Sequence, residues 1–189
     1  CRQAAGALAY IALVGGDRVQ LFGSHGESVL ESRIFRGRES APEAFAWLLE
    51  REPAGETALD AAVRGLMGRA PKPGIVFLLS DMLCEGWENA LGSAAAGRQD
   101  CCVIQALTPA EFEPSLQGDL KLIDAETDEA VELTMGGAVV DRYRLRRDRF
   151  LEGLRGRCHA YGFPYLLSLT DRPVEDVILK SLRRLQVVR

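Results

Sequence analysis

The stretch Ile75-Val76-Phe77-Leu78-Leu79-Ser80-Asp81 decides the fold, because a run of five apolar residues ends abruptly in a hydroxyl and a carboxylate. The run follows Pro73-Gly74 and is typical of a strand buried on both faces of a parallel α/β sheet. Open α/β sheets bind their ligands at the carboxyl ends of their strands, so Ser80 and Asp81 are candidate site residues. The alternative is that Asp81 only caps the following turn.

Helix and strand patterns alternate on both sides of this run. This alternation predicts right-handed crossovers, a doubly wound and mostly parallel α/β sheet, and one domain over residues 1–189. A β-hairpin, predicted from two short apolar runs around a polar turn at 126–128, interrupts the rhythm. The predicted helices are Gln3–Val14, Ser40–Leu49, Thr57–Gly68, Gly86–Ala96, Val139–Tyr161 and Val174–Leu185. A capping box at Ser40–Glu43 is expected to open the second of these helices, which runs to Leu49. The predicted strands are Asp17–Gly23, Ser28–Phe35, Ile75–Leu79, Cys101–Leu107, Leu120–Ile123, Val131–Leu133 and Pro164–Leu169.

The composition is that of an ordinary globular protein. The 189 residues are 47% hydrophobic and 26% charged, with a formal net charge of −4. Mild acidity disfavours a nucleic-acid partner, and no apolar segment approaches the ~20 residues that a membrane-spanning helix needs, so we expect no membrane insertion by this segment. Because the chain opens at Cys1 inside a helical pattern, we expect it to be a fragment of a longer protein.

The cysteines predict the cellular compartment. Five are present, an odd number without paired spacing, which indicates neither a disulfide framework nor a zinc site. Cys101 and Cys102 are neighbours on a predicted strand, so their side chains should point to opposite faces of the sheet. Buried free thiols are typical of a reducing compartment, and we expect the protein to be cytoplasmic.

Motifs for nucleophilic or phosphate chemistry are absent from the sequence. His25 and His159 form no recognisable catalytic arrangement with a serine or cysteine, and neither a Gly-x-Ser-x-Gly motif nor a phosphate-binding loop occurs. The helix predicted over Val139–Tyr161 should bury a stripe formed by Tyr143, Phe150, Leu151, Leu154 and Cys158. The same helix carries the remaining distinctive feature, an arginine-rich stretch over residues 142–157. Interspersed acidic residues favour a solvated, ion-paired helix face, and the alternative is a docking surface for an acidic partner.

Several segments, taken in order, resemble a known family. The resemblance is carried by Ala7-Leu8-Ala9-Tyr10-Ile11-Ala12-Leu13 with Gly16-Asp17-Arg18-Val19, by Gly55-Glu56-Thr57-Ala58-Leu59, by Val76–Asp81, by Thr108-Pro109-Ala110-Glu111, and by Leu122-Ile123-Asp124-Ala125-Glu126-Thr127. This set resembles the bacterial "domain of unknown function 58" family, a branch of the von Willebrand factor A-like fold.

The resemblance implies a metal-ion-dependent adhesion site. In that site a divalent cation is held by an Asp-x-Ser-x-Ser loop, a threonine that matches Thr57 and an aspartate that matches Asp81. Oxygen ligands of this kind suit Mg²⁺, or Mn²⁺ as the alternative. The loop and the family's first, central strand precede the first helix, so this chain is expected to lack both. Thr57 has an alternative role as a helix N-cap, with Asp60 in the first turn.

The resemblance also implies a function. We expect a non-enzymatic protein-interaction module that works with a MoxR-type AAA+ ATPase in the assembly or maturation of protein complexes. One alternative is a metal-dependent hydrolase that uses Ser80 and Asp81. The other is a scaffold whose metal site is vestigial.

Overall fold

The computed structural model describes residues 1–25, 28–51, 58–69, 74–97, 99–114, 118–123 and 130–178. Its helices are α1 (Arg2–Val14), α2 (Ala41–Leu49), α3 (Leu59–Arg69), α4 (Trp87–Ala96), α5 (Pro109–Phe112) and α6 (Gly137–Ala160). Its strands are β1 (Arg18–Val19), β2 (Phe22–His25), β3 (Ser28–Glu31), β4 (Phe35–Arg36), β5 (Ile75–Ser80), β6 (Asp100–Leu107), β7 (Gly118–Ile123), β8 (Ala130–Met135) and β9 (Tyr165–Leu169).

A three-stranded parallel sheet, in the order β5-β6-β9, forms the centre of the described fold. Ser80 of β5 lies opposite Gln105 of β6, which in turn lies opposite Leu167 of β9. Helices α4 and α6 connect these strands, as expected for parallel strands that require crossover connections. The predicted parallel α/β arrangement is therefore confirmed for these three strands.

The central strand β6 is buried on both faces. Cys101 and Val103 pack into a cluster with α3, α4 and α6, whereas Cys102 and Ile104 pack with α1 and residues 177–178. All four side chains are at most 3% exposed. Because side chains alternate along a strand, the two neighbouring cysteines point into different layers, as predicted. Helices therefore cover both faces of the parallel sheet.

Strand β5 differs from its prediction. It was expected to be buried on both faces, but its residues are half-buried and Ile75 is 58% exposed. The reason is its position: β6 pairs with one edge of β5, and no described strand pairs with the other edge. The strand that meets the prediction of two buried faces is β6.

The two strands predicted over Asp17–Gly23 and Ser28–Phe35 are each divided in two. β1 pairs with β4 and β2 pairs with β3, both antiparallel. Between the two pairs, residues 20–21 face residues 32–34, so one strand carries an extra residue, as in a β-bulge. Ser32 links the two strands at this bulge. Its backbone N–H donates to the carbonyl of Leu21, and its Oγ accepts a hydrogen bond from the N–H of Leu21, each at 2.9 Å.

The capping box predicted at Ser40 is wrong, although the helix that it was expected to open is present. Ser40 already has helical backbone angles because it ends a short 3₁₀ turn, Arg38–Ser40, and its Oγ donates to the carbonyl of Arg36 at 2.7 Å. A capping box occurs instead at Thr108 and Glu111, at the start of α5, where each side chain accepts a hydrogen bond from the backbone N–H of the other residue.

Helix α6 buries a narrower stripe than predicted. Leu151, Leu154 and Cys158 are buried and Phe150 packs against the same cluster. Tyr143 was expected on this stripe, but it is 36% exposed and its hydroxyl donates to the carbonyl of Glu111. The first turns of α6 lie against the segment after β6, so the tyrosine packs at the edge of the fold.

The predicted hairpin is confirmed by the antiparallel pairing of β7 with β8. Its predicted polar turn, residues 126–128, lies outside the described residues. Residues 174–178 form a helical turn, and the remainder of the helix predicted to reach Leu185 also lies outside them.

Candidate functional site

The candidate site lies where β5 ends. The Oγ of Ser80 accepts a hydrogen bond from the N–H of Met82 at 3.0 Å, and Oδ1 of Asp81 accepts from the N–H of Leu83 at 2.9 Å. Both side chains therefore stabilise the turn that leaves the strand, as short polar side chains commonly do. Asp81 is exposed, and its second carboxylate oxygen accepts no hydrogen bond from the described residues. The turn-capping role is real, and it leaves one oxygen available.

The buried side chain of Met82 holds this turn against the core. Its φ angle is 60°, in the left-handed region that side chains other than glycine rarely adopt, and it is fully buried. Its side chain belongs to the cluster formed by α3, α4 and α6. Such a conformation persists when the surroundings hold it, and the packing of this side chain supplies that restraint.

Gln105 fixes the turn from the neighbouring strand. Its side chain has no exposed surface, and its Nε2 donates to the carbonyl of Asp81 at 2.7 Å. Its Oε1 accepts a hydrogen bond from the hydroxyl of Tyr165, also at 2.7 Å. The three strands are thus joined by a side-chain bridge that runs from the carboxyl end of β5 through Gln105 of β6 to the first residue of β9. Burial raises the pKa of Tyr165 to about 12, so its hydroxyl stays protonated and continues to donate.

The sequence analysis did not single out Gln105 or Tyr165. A signal for Gln105 exists, because it is the one polar side chain in the otherwise apolar segment Cys101–Leu107. A polar residue inside a fully buried strand needs hydrogen-bond partners, and the partners identify its role. Nothing local to Tyr165 marks it, since its contact with Gln105 spans 60 residues.

The beginning of α3 lies against the loop that follows β5. Gly86, with φ at 79°, lies beside Asp60, because a Cβ built on it would be in ordinary van der Waals contact with the Cβ of Asp60, at 3.5 Å. Asp60 itself accepts a hydrogen bond from Arg64 at 2.6 Å. Thr57, the second predicted metal ligand, lies outside the described residues.

The described residues contain no group of three or more histidine, cysteine, aspartate or glutamate side chains placed to hold a metal ion. Asp81 brings a single carboxylate to the carboxyl edge of the sheet. Mg²⁺ accepts this type of ligand and retains several waters, so the donor chemistry fits a hard cation, although the described ligand set is incomplete.

The arginine-rich helix is partly ion-paired, as predicted. Glu113 accepts hydrogen bonds from both Arg144 and Arg147, and these bonds lower the pKa of its carboxyl group. The guanidinium of Arg147 also lies 4.6 Å from the centre of the Phe112 ring. These contacts bind α5 to the first half of α6.

The fold and site define an α/β domain whose parallel sheet is covered by helices on both faces, with a constrained acidic turn at the end of an edge strand. Its family follows from comparison with known sequences. The family model described as "Protein of unknown function DUF58" matches residues 1–150, and the chain belongs to this family. The family predicted from the sequence is thereby confirmed.

One sequence relative and two solved structures are similar to this chain. The chain is 30% identical over 139 residues to "Uncharacterized protein MAV169" of Mycobacterium avium, a match that covers 71% of this chain and 82% of the relative. Its fold is similar to that of the conserved hypothetical protein BatB from Bacteroides thetaiotaomicron, with a TM-score of 0.53, 10% identity and coverage of 98% and 86% of the two chains.

A second solved structure also has a fold similar to that of this chain. It is an aerotolerance-related membrane protein from Bacteroides fragilis, with a TM-score of 0.53, 12% identity and coverage of 97% of this chain and 88% of that chain. Within the described part of the present chain, no helix combines the length and the apolar composition needed to cross a bilayer.

Proposed function

We propose that this chain is a non-enzymatic protein-interaction module that engages its partner through a divalent-metal site. The proposal includes a doubly wound, von Willebrand factor A-like sheet with an inserted β-hairpin. What supports this architecture is the parallel β5-β6-β9 order with helices on both faces and an edge of β5 that pairs with no described strand.

The observation that carries the proposal is the state of Asp81. Its carboxylate is exposed at the carboxyl end of a parallel strand, one oxygen is fixed by a backbone N–H, and its backbone is held by the buried Gln105. A ligand that is already oriented loses less conformational entropy when it binds an ion. An exposed and oriented carboxylate at this edge is what a metal-binding turn requires.

The proposed ligands are Asp81 and Thr57, and the proposed ion is Mg²⁺ or Mn²⁺. Few charged ligands leave such an ion electrophilic, so when bound it supplies a coordination position for an acidic side chain of the partner. The contact between Gly86 and Asp60 supports the inclusion of Thr57, because it places the start of α3 beside the loop that follows Asp81.

The proposed partner is a MoxR-type AAA+ ATPase, acting in the assembly or maturation of protein complexes. This part rests on the family resemblance. We also propose a cytoplasmic location for this domain, supported by the free thiols of Cys101, Cys102 and Cys158, all of which are buried.

The test is co-purification of the full-length protein with the ATPase in the presence and absence of Mg²⁺. We expect Asp81→Ala to abolish a Mg²⁺-dependent association. The matched control is Asp171→Ala, because Asp171 is also exposed and follows β9, the strand on the other side of β6, at the same edge of the sheet. Association that survives Asp81→Ala, or that ignores the metal, contradicts the proposal.

The same protein tests the two alternatives. A hydrolase would turn over phosphoesters with Mg²⁺ or Mn²⁺ and lose that activity in Asp81→Asn, a result that would replace the non-enzymatic proposal. The hydroxyl of Ser80 is half-buried and bonded to Met82, which disfavours its use as a nucleophile. A scaffold with a vestigial site would bind the partner equally well with and without Asp81.

A further inference from the structure

The outward face of α6 carries a basic stripe without an acidic residue. At 3.6 residues per turn, its members fall within about a quarter of the helix circumference and extend over about 22 Å of its length. All of them are exposed. The stripe consists of Arg142, Arg146, Arg149 and Arg157.

These four arginines differ from the other arginines of the helix. Arg144 and Arg147 pair with Glu113, and Arg155 lies over the ring of Tyr165. The stripe, in contrast, makes no hydrogen bond, ion pair or ring contact with the described residues. The chain as a whole has a net charge of −4, so the stripe is a local concentration of positive charge on an acidic protein.

A groove of about 470 Å³ runs beside the stripe, between α6 and the start of α4. Trp87 and Phe150 form an aromatic wall, with ring centroids 5.8 Å apart and planes nearly perpendicular. Gly153 and Gly156 line the groove on α6, and a Cβ at either position would meet nothing within 4 Å. Arg149 and Arg157 also line the groove, together with Glu88 from α4, so two arginines and one acidic residue surround the open notch.

We propose that this α4–α6 face binds an acidic protein segment, which pairs its carboxylates with the arginine stripe and places an apolar side chain in the groove. Charge complementarity is the main argument, because arginine is well suited to bidentate pairing with carboxylates. The groove is concave and therefore fits a peptide side chain. A membrane surface is bound instead by apolar side chains that project outward from the protein. The net negative charge of the chain disfavours a nucleic acid. The proposal does not depend on a metal at Asp81.

The probe is a fluorescent peptide of about ten residues, long enough to span the stripe when extended. It contains glutamate and aspartate with one central phenylalanine. Fluorescence anisotropy with the full-length protein should show salt-sensitive binding that weakens at least about tenfold in R146E/R149E. The matched control is R18E/R36E, which changes the net charge equally at exposed positions of β1 and β4, and it should alter the affinity by less than about twofold.

A second variant separates groove docking from general charge attraction. G153Q adds bulk to the notch without changing the charge, and the open space around Gly153 should allow the variant to fold with a melting temperature no lower than that of the wild type. It should remove the advantage of the phenylalanine peptide over the same peptide with glycine at its centre.

Three results would overturn the proposal. The first is undiminished peptide binding in R146E/R149E, and the second is an unchanged phenylalanine advantage in G153Q. The third is tighter stripe-dependent binding to phosphatidylglycerol vesicles or to a single-stranded polynucleotide than to the peptide.

Discussion

Replacement of Gln105 by methionine should destabilise the fold by removing a buried bridge while nearly preserving the side-chain volume. The change deletes the hydrogen bonds to the carbonyl of Asp81 and from the hydroxyl of Tyr165, each 2.7 Å long. A lost hydrogen bond costs about 1 kcal/mol, and a buried polar group left without a partner raises the cost to about 1–3 kcal/mol. For the two bonds together we expect a loss of about 2–4 kcal/mol in the free energy of unfolding.

The assay is urea unfolding followed by circular dichroism, with thermal unfolding as a second measurement. For a domain of this size, each kcal/mol shifts the melting temperature by about 2–4 °C, so Gln105→Met should lower it by roughly 4–16 °C. The matched control is Gln3→Met, because Gln3 is exposed on α1 and its replacement should change the stability by less than about 0.5 kcal/mol.

A double-mutant cycle with Tyr165→Phe tests the cause. When the tyrosine hydroxyl is already absent, Gln105→Met no longer leaves it without a partner. The free energy of unfolding lost in the double mutant should therefore be smaller than the sum of the two single losses by about 0.5–1 kcal/mol. If Gln105→Met is within about 0.5 kcal/mol of the wild type, or if the two effects simply add, the bridge does not hold the strands together.

The remaining predictions concern the core. Leu154→Ala should lower the free energy of unfolding by about 2–5 kcal/mol in the same urea assay, since Leu154 is fully buried. The control is Leu145→Ala on the same helix, which should cost less than about 1 kcal/mol because Leu145 is 51% exposed. Equal losses would contradict the assigned burial. Alkaline pH should destabilise the protein, because burial raises the pKa of Cys101 and of Cys102 from 9.0 to about 12. The folded state keeps these protons to a higher pH than the unfolded state, so stability is full below pH 9 and falls towards pH 12. Unfolding experiments across this pH range should show a smaller decline in Cys102→Ala than in the wild type.

The alternation of helices and strands was predictable because it depends on local periodicity. An apolar run of strand length or a helical pattern of apolar residues can be recognised within about ten residues, whatever the chain does elsewhere. The opposite orientation of Cys101 and Cys102 followed in the same way from the two-residue period of a strand. The family could also be recognised, since its segments retain their order along the chain, and the matching family model confirms it.

Exposure was less predictable than secondary structure. The apolar run of β5 indicated burial on both faces, but burial depends on how many neighbours a strand acquires, and β6 rather than β5 occupies the middle of the sheet. The predicted strand over residues 17–23 was divided by a bulge, because an extra residue in its partner shifts the pairing register.

The sequence by itself determined the parallel α/β arrangement and pointed to Asp81 at the end of β5. Only the tertiary structure showed that Gln105 and Tyr165 hold this turn, and which arginines of α6 are paired and which face an open groove. The physical reason is distance along the chain: the Tyr165–Gln105 bond joins residues 60 apart and the Arg147–Glu113 contact joins residues 34 apart. Local patterns specify which segments form helices and strands, whereas contacts of this range exist only once those segments have packed together.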